Sequence, residues 1–79
     1  MEKAKSTQDW VLIEEWVKNR KGIPCKVKGT EDLLRIRFDP MEKDLEEITW
    51  AEFFQIFDKN KLKFLYEDSK DSRFYKFIN

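Results

Sequence analysis

The chain has 79 residues, 12 of them aromatic, and its 16 Lys or Arg side chains balance 16 Asp or Glu side chains. This length predicts one small domain over residues 1–79, in which the aromatic side chains supply the apolar area that a short chain must bury. No apolar run approaches the length of a membrane span, and the first ten residues hold no apolar core of a secretory signal. We expect residues 1–5 to fray.

The charges are segregated along the chain although their sum is zero. Residues 18–37 carry a net charge of +5, residues 39–58 carry −6 and residues 59–79 carry +3. A single cysteine cannot form an internal disulfide, which predicts a cytoplasmic protein. Abundant Lys and Glu, with two Gln and three Asn, favour a thermophilic source.

A first helix is predicted from about Thr7 to Lys21. Ser6 or Thr7 can cap its start, and the apolar residues that follow recur at three- and four-residue spacing. Cations fill its last turn, where they suit the helix dipole, and Gly22 can stop it. Trp10, Ile13, Trp16 and Val17 form the apolar stripe.

A second helix is predicted after Thr49, which forms a capping box with Glu52. Four aromatic residues then recur at helical spacing, and we interpret them as core rather than as a binding groove: Trp50, Phe53, Phe54 and Phe57. The stretch from Asp58 to Lys61 holds the helix stop, with Asn60 as a left-handed cap.

Two β-hairpins complete the prediction. A four-residue loop over 29–32 places Val27 opposite Leu34 and Cys25 opposite Ile36, so that these side chains share an apolar face with Ile23 and Phe38. A loop over 67–72 pairs Tyr66 with Arg73. The inward face of this second hairpin then holds Leu62, Phe64, Tyr66, Arg73, Tyr75 and Phe77, and the outward face holds Lys63, Leu65, Phe74, Lys76 and Ile78. Both faces contain apolar residues, so a register shifted by one residue would exchange them.

The predicted element order is αββαββ. It indicates an α+β fold of two layers, with two helices packed on one face of a four-stranded, mostly antiparallel sheet. The halves align at an offset of about forty residues, which places Trp10 over Trp50 and Lys21 over Lys61. Either a duplication or shared helix patterning explains this alignment.

Five stretches resemble a family of small uncharacterised prokaryotic proteins. They are VKGT at 27–30, LRIRF at 34–38, LEEITWAEFFQIFD at 45–58, LKFLYED at 62–68 and SRFYKF at 72–77. Some members carry a glucan-branching-enzyme label, which does not suit 79 residues, because such enzymes are large multidomain proteins with a barrel catalytic domain. This chain has GIPC where the family has a GRPA-like stretch, so the resemblance implies no thiol chemistry at Cys25 and supplies no catalytic residue.

The sequence favours a protein that is not an enzyme. It has no histidine, its two glycines form no phosphate loop, and Cys25 is expected to point inward. The acidic stretch DPMEKDLEE lacks the glycine and the ligand spacing of a calcium loop. We therefore expect no cofactor, no metal site and no catalytic residue.

A basic sheet face is the candidate binding surface. Its outward positions are Lys26, Lys28, Arg35, Arg37, Lys63 and Lys76, and no acidic residue falls in a predicted strand. Lys26 would lie opposite Arg35, and Lys63 opposite Lys76, although like charges opposite each other destabilise a sheet. A solvated face, on which Lys discourages sheet-edge pairing, explains the pattern at least as well. In a third interpretation the acidic segment 39–47 folds over this face or meets it in a neighbouring subunit. We expect a cytoplasmic protein-interaction or self-association module with no membrane partner; the alternative is nucleic-acid binding by this face.

Overall fold

The computed structural model describes residues 3–79 and shows a small α+β fold with two helices and six strands. In chain order the elements are β1 (Lys5–Thr7), α1 (Trp10–Asn19), β2 (Ile23–Val27), β3 (Leu34–Arg37), β4 (Leu45–Glu47), α2 (Trp50–Lys59), β5 (Lys63–Tyr66) and β6 (Tyr75–Ile78). The prediction of frayed residues 1–5 lies partly outside the described residues, and Lys5 belongs to a strand.

The strands form two separate three-stranded antiparallel sheets, with strand orders β1-β5-β6 and β3-β2-β4. The predicted fold, a single four-stranded sheet with both helices on one face, is therefore wrong. Two unpredicted strands, β1 and β4, account for the difference. Their sequences, Lys-Ser-Thr and Leu-Glu-Glu, lack the apolar alternation by which a strand is recognised.

The two sheets exchange strands between the halves of the chain. The halves repeat as βαββ, and β1, α1 and β2 begin 40 residues before β4, α2 and β5. Strand β1 pairs with β5 of the second half, and β4 pairs with β2 of the first half. Each sheet is therefore complete only when both halves are present.

Helix α1 starts later than the sequence predicts. Asp9 caps it, because its carboxylate accepts hydrogen bonds from the amides of Val11 and Leu12. The predicted caps, Ser6 and Thr7, lie in β1 instead. The Thr7 hydroxyl accepts a hydrogen bond from the amide of Asp9 and so joins the strand to the cap.

Helix α1 ends in a Schellman turn in which Lys21 adopts a φ of 59°. The amide of Gly22 donates to the carbonyl of Val17 at 2.9 Å, and the amide of Lys21 donates to the carbonyl of Lys18 at 3.0 Å. Lys21, and not the expected glycine, thus takes the left-handed conformation. The role of Gly22 is close packing, since a Cβ there would lie 2.7 Å from the side chain of Ile36.

Helix α2 confirms the predicted cap. The Thr49 hydroxyl accepts a hydrogen bond from the amide of Glu52 at 3.1 Å. The helix ends as α1 does: Lys61, and not the predicted Asn60, takes the left-handed conformation, with a φ of 53°. The amide of Leu62 donates to the carbonyl of Phe57 at 3.1 Å. Both halves therefore share one helix-ending geometry at equivalent positions.

Most residues of the two predicted apolar stripes build the core between the helices and the sheets, but Trp10 is 47% exposed and Trp50 is only partly buried. The buried members of the core are Ile13, Trp16, Val17, Leu34, Ile36, Ile48, Phe53, Phe54, Ile56, Phe57, Phe64 and Tyr66. Trp16 packs edge-on against Phe64, with ring centroids 5.3 Å apart, and Phe53 packs in the same manner against Phe77 at 5.8 Å. Core side chains from both halves therefore interlock.

The first hairpin differs from the prediction by one residue. Lys26, rather than Val27, lies opposite Leu34, and Pro24 lies opposite Ile36. The amide of Val27 bonds the carbonyl of Leu33, so the loop has one residue more than the four that the sequence suggested. A one-residue slip exchanges the two faces of a strand. Lys26 therefore shares a face with the core residue Leu34.

The second hairpin differs by two residues, since Tyr66 lies opposite Tyr75 and not Arg73. A two-residue slip preserves the faces. The predicted inward side chains of Phe64 and Phe77 therefore do pack against the core, whereas Lys63 and Lys76 lie on the outward face with Leu65 and Ile78.

Candidate binding surfaces

The six predicted cations do not form one surface. Lys26, Lys28, Arg35 and Arg37 belong to the hairpin of the β3-β2-β4 sheet or follow its strands, whereas Lys63 and Lys76 lie in the other sheet. The predicted like-charge pairs are absent, because Arg35 lies opposite Cys25 and Lys76 opposite Leu65.

Acidic residues neutralise part of the first hairpin. Lys26 forms an ion pair with Glu52 of α2, with Nζ 3.4 Å from Oε2, and lies opposite Glu46 of β4. Nη2 of Arg37 lies 3.6 Å from Oε1 of Glu47, which also belongs to β4. The expectation that no acid occupies a strand is therefore wrong. The alternative interpretation, that the acidic segment folds against the cations, describes this hairpin.

Lys63 and Lys76 have no carboxylate within ion-pair distance in residues 3–79. Each lies opposite an aliphatic residue, Ile78 and Leu65 respectively, on the outward face of the β1-β5-β6 sheet. These two lysines therefore keep their charge available, unlike Lys26 and Arg37.

Cys25 is fully buried, as expected, but on the other face of its sheet. Its cross-strand neighbours are Arg35 and Glu47, and it does not belong to the core cluster around the helices. Burial raises the pKa of the Cys25 thiol, and the charge of Arg37 opposes that effect. A buried thiol with a raised pKa is a weak nucleophile, so the geometry supports a structural role.

Tyr75 joins the two sheets, which the sequence did not indicate. Its hydroxyl accepts a hydrogen bond from the amide of Ile36 at 3.0 Å and donates to the carbonyl of Ile36 at 3.2 Å. Ile36 lies opposite Pro24, which has no amide hydrogen, at a position where the backbone groups of β3 point away from β2. Tyr75 thus satisfies both polar groups of an edge strand that has no neighbour there.

Arg20 binds the loop between β5 and β6. The sequence contains no signal for this contact, because the acceptors are backbone carbonyls. Its guanidinium donates to the carbonyl oxygens of Ser69 and Ser72, both at 2.6 Å, and lies 4.1 Å from the ring of Trp16. Burial lowers the pKa of Arg20. Arg20 also lines a cavity of about 640 Å³, but its donors are already bound within the chain.

A groove of about 530 Å³ lies between β3 and β6, the edge strands of the two sheets. Residues 32–35 line one side and residues 75–77 line the other, and Asn60, Leu62 and Asn79 complete the lining. Leu33, in the groove, is 44% exposed, and Phe74, next to Tyr75 in sequence, is 40% exposed. Neither Arg35 nor Lys76, the cations of the groove, has an ion-pair partner in the described part of the chain. The sequence prediction contained both cations but not the groove.

The residues from Lys3 to Asn79 hold no group of three or more side chains suited to bind a metal ion, and no helix among them could cross a membrane. Neither the family models, nor the curated proteins, nor the solved structures compared with the chain give a match. The resemblance to a small prokaryotic family thus stays a prediction, and the function must be inferred from the geometry.

Proposed function

We propose that the chain is a non-enzymatic cytoplasmic module that binds another protein, and that the groove between β3 and β6 is its binding surface. The observation that carries this proposal is the combination of the unpaired outer edge of β6, an exposed Leu33 and two unpaired cations in one groove. Protein interfaces commonly pair an apolar centre with polar groups that orient the partner.

The ion pairs and positions of the predicted cations favour protein binding over nucleic-acid binding. Phosphate recognition needs several available Lys or Arg side chains along one path. Lys26 and Arg37 are engaged with carboxylates, and the other predicted cations are divided between two sheets. The groove, in contrast, combines apolar and aromatic side chains with two cations and one acid, Asp32.

Site-specific photo-crosslinking tests the proposal. A photoreactive phenylalanine analogue replaces Leu33 in the groove or, as the control, Gln55 on the exposed side of α2. After irradiation in a lysate of the native host, we expect a discrete protein adduct at position 33 and none at position 55. Adducts of nucleic acid at position 33, or equal protein labelling at both positions, would contradict the proposal.

A further inference from the structure

We propose that the partner segment is an extended, acidic stretch of another protein, which adds to the outer edge of β6 as a further strand. This inference rests on the proposed function, because it assigns an occupant to the same groove. Its basis is the direction of the β6 backbone groups, the alternation of side chains along β6 and the charge of the groove.

The outer edge of β6 presents backbone groups for strand addition. In the β5–β6 hairpin the amide of Glu67 bonds the carbonyl of Phe74. Because bonded and non-bonded pairs alternate along an antiparallel ladder, Lys76 and Ile78 direct their backbone groups toward β5, whereas Tyr75 and Phe77 direct theirs outward. No strand of residues 3–79 lies beyond β6. Unpaired edges of this kind accept extended peptides in recognised modes of peptide binding.

The side chains of β6 set the pattern of the added strand. Lys76 lies on the outward face, and its neighbours Tyr75 and Phe77 lie on the face that packs against the core. Since residues opposite each other on adjacent strands share a face, the added strand would place one set of side chains beside Lys76 and the alternate set in the apolar groove. A segment with acidic and apolar residues in alternation meets both requirements.

The charge of the groove favours the acidic segment. Arg35 and Lys76 occupy equivalent positions of the two halves, 41 residues apart, and Asp32 is the only acid of the groove among the described residues. A second copy that pairs two-fold through its own β6 would bring Lys76 toward Lys76 and is disfavoured. A second copy that pairs through its acidic strand β4 would continue head to tail into an open chain.

The binding test uses fluorescent seven-residue peptides with alternating Glu and Val, compared with peptides of alternating Lys and Val. Fluorescence anisotropy at about 50 mM salt, which limits charge screening, should show saturable binding of the Glu peptide and none of the Lys peptide. Backbone amide shifts in NMR spectra should be largest at residues 75–79. Equal binding of both peptides, or shifts concentrated elsewhere, would overturn the inference.

Two variants and two modified peptides test the mechanism. The double variant Arg35→Glu/Lys76→Glu should weaken binding of the Glu peptide by about tenfold or more, whereas Lys70→Glu, in the loop between β5 and β6, should leave it unchanged. N-methylation of alternate amides blocks one edge of the peptide only. Methylation of one alternate set should abolish binding and methylation of the other should preserve it; equal effects would exclude strand addition.

The outcomes separate the inference from the proposed function. Protein crosslinks at position 33 without binding of the Glu peptide would reject the acidic strand and retain the protein-interaction function. Oligonucleotide binding that the double variant abolishes would reject both. Concentration-dependent chains of the protein alone, observed by sedimentation, would identify β4 of a second copy as the occupant and would also overturn the inference.

Discussion

The hydroxyl of Tyr75 hydrogen-bonds the β1-β5-β6 sheet to Ile36 of the other sheet. We expect Tyr75→Phe to lower the free energy of unfolding by about 1–3 kcal/mol, because it leaves both backbone groups of Ile36 without a partner. The control is Tyr66→Phe, which keeps a buried ring and should change stability less. Urea unfolding measures both. Equal effects would mean that the hydroxyl of Tyr75 contributes nothing beyond its ring.

The same hydroxyl predicts a pH dependence. Burial raises the pKa of Tyr75, so the folded state holds this proton more tightly than the unfolded state, whose tyrosine pKa is about 10. Its contribution is complete below the unfolded pKa and is lost as the pH rises through the folded pKa. Wild type should therefore lose more stability than Tyr75→Phe between about pH 9 and pH 11. Parallel losses in the two proteins would contradict this assignment.

Individual residues were predictable from the sequence where the interaction is local. The cap by Thr49 follows from a side chain and an amide three residues apart, and the structure contains that bond. The sequence predicts Gly22 as a helix stop because glycine commonly takes positive φ, but glycine is required there because the side chain of Ile36, from another element, leaves no space for a Cβ. Contacts of that kind have no spacing by which a sequence reveals them.

Both helices end at a lysine with positive φ, and this geometry predicts the effect of a glycine there. Lys61 holds a φ of 53°, where a side chain with a Cβ is strained by roughly 1 kcal/mol and glycine is not. We expect Lys61→Gly to stabilise the protein by a few tenths to about 1 kcal/mol in urea unfolding. The control, Gln55→Gly at an exposed position inside α2, should destabilise it by about 1 kcal/mol. Destabilisation by both variants would place the helix end elsewhere.

The two hairpins show why the positions of strands are easier to predict than the residue pairs between them. In the first hairpin one additional loop residue moved Lys26 onto the core side and invalidated the predicted pairing with Arg35. In the second hairpin a two-residue error left Phe64 and Lys76 on their predicted faces. The apolar alternation shows which face of a strand is buried, but the length of the loop decides which residues lie opposite each other. A binding surface predicted from cross-strand pairs is therefore wrong wherever the loop length is wrong.

At the scale of the whole molecule, strand exchange predicts one cooperative unit. The amide of Lys28 donates to the carbonyl of Asp44, and the amide of Ile48 donates to the carbonyl of Pro24. Because hydrogen-bonded pairs alternate along an antiparallel ladder, the amide of Glu46 also points toward β2. Glu46→Pro removes that donor and should lower the free energy of unfolding by about 1–3 kcal/mol. In Glu47→Pro, the control, the lost amide points away from β2, so the effect should be smaller.

Tryptophan fluorescence and far-ultraviolet circular dichroism should report a single, coincident urea transition in both proline variants. Two separate transitions in Glu46→Pro would show that the halves unfold independently and would contradict the cooperative unit. The sequence indicated the repeat through equivalent residues such as Trp10 and Trp50. It could not indicate the exchange, because the short polar strands that perform it have no apolar pattern.

The pairing of β1 with β5 has a consequence for the chain during its synthesis. Lys5 pairs with Tyr66, so the first strand leaves the ribosome long before its partner does. Strand β2 likewise lacks β4 until the second half emerges, and the core side chains of β3, Leu34 and Ile36, lack the aromatic residues of α2. A nascent chain with such unfinished strands is open to association with its neighbours. We therefore expect slow translation between the two halves to favour aggregation of this protein rather than its folding.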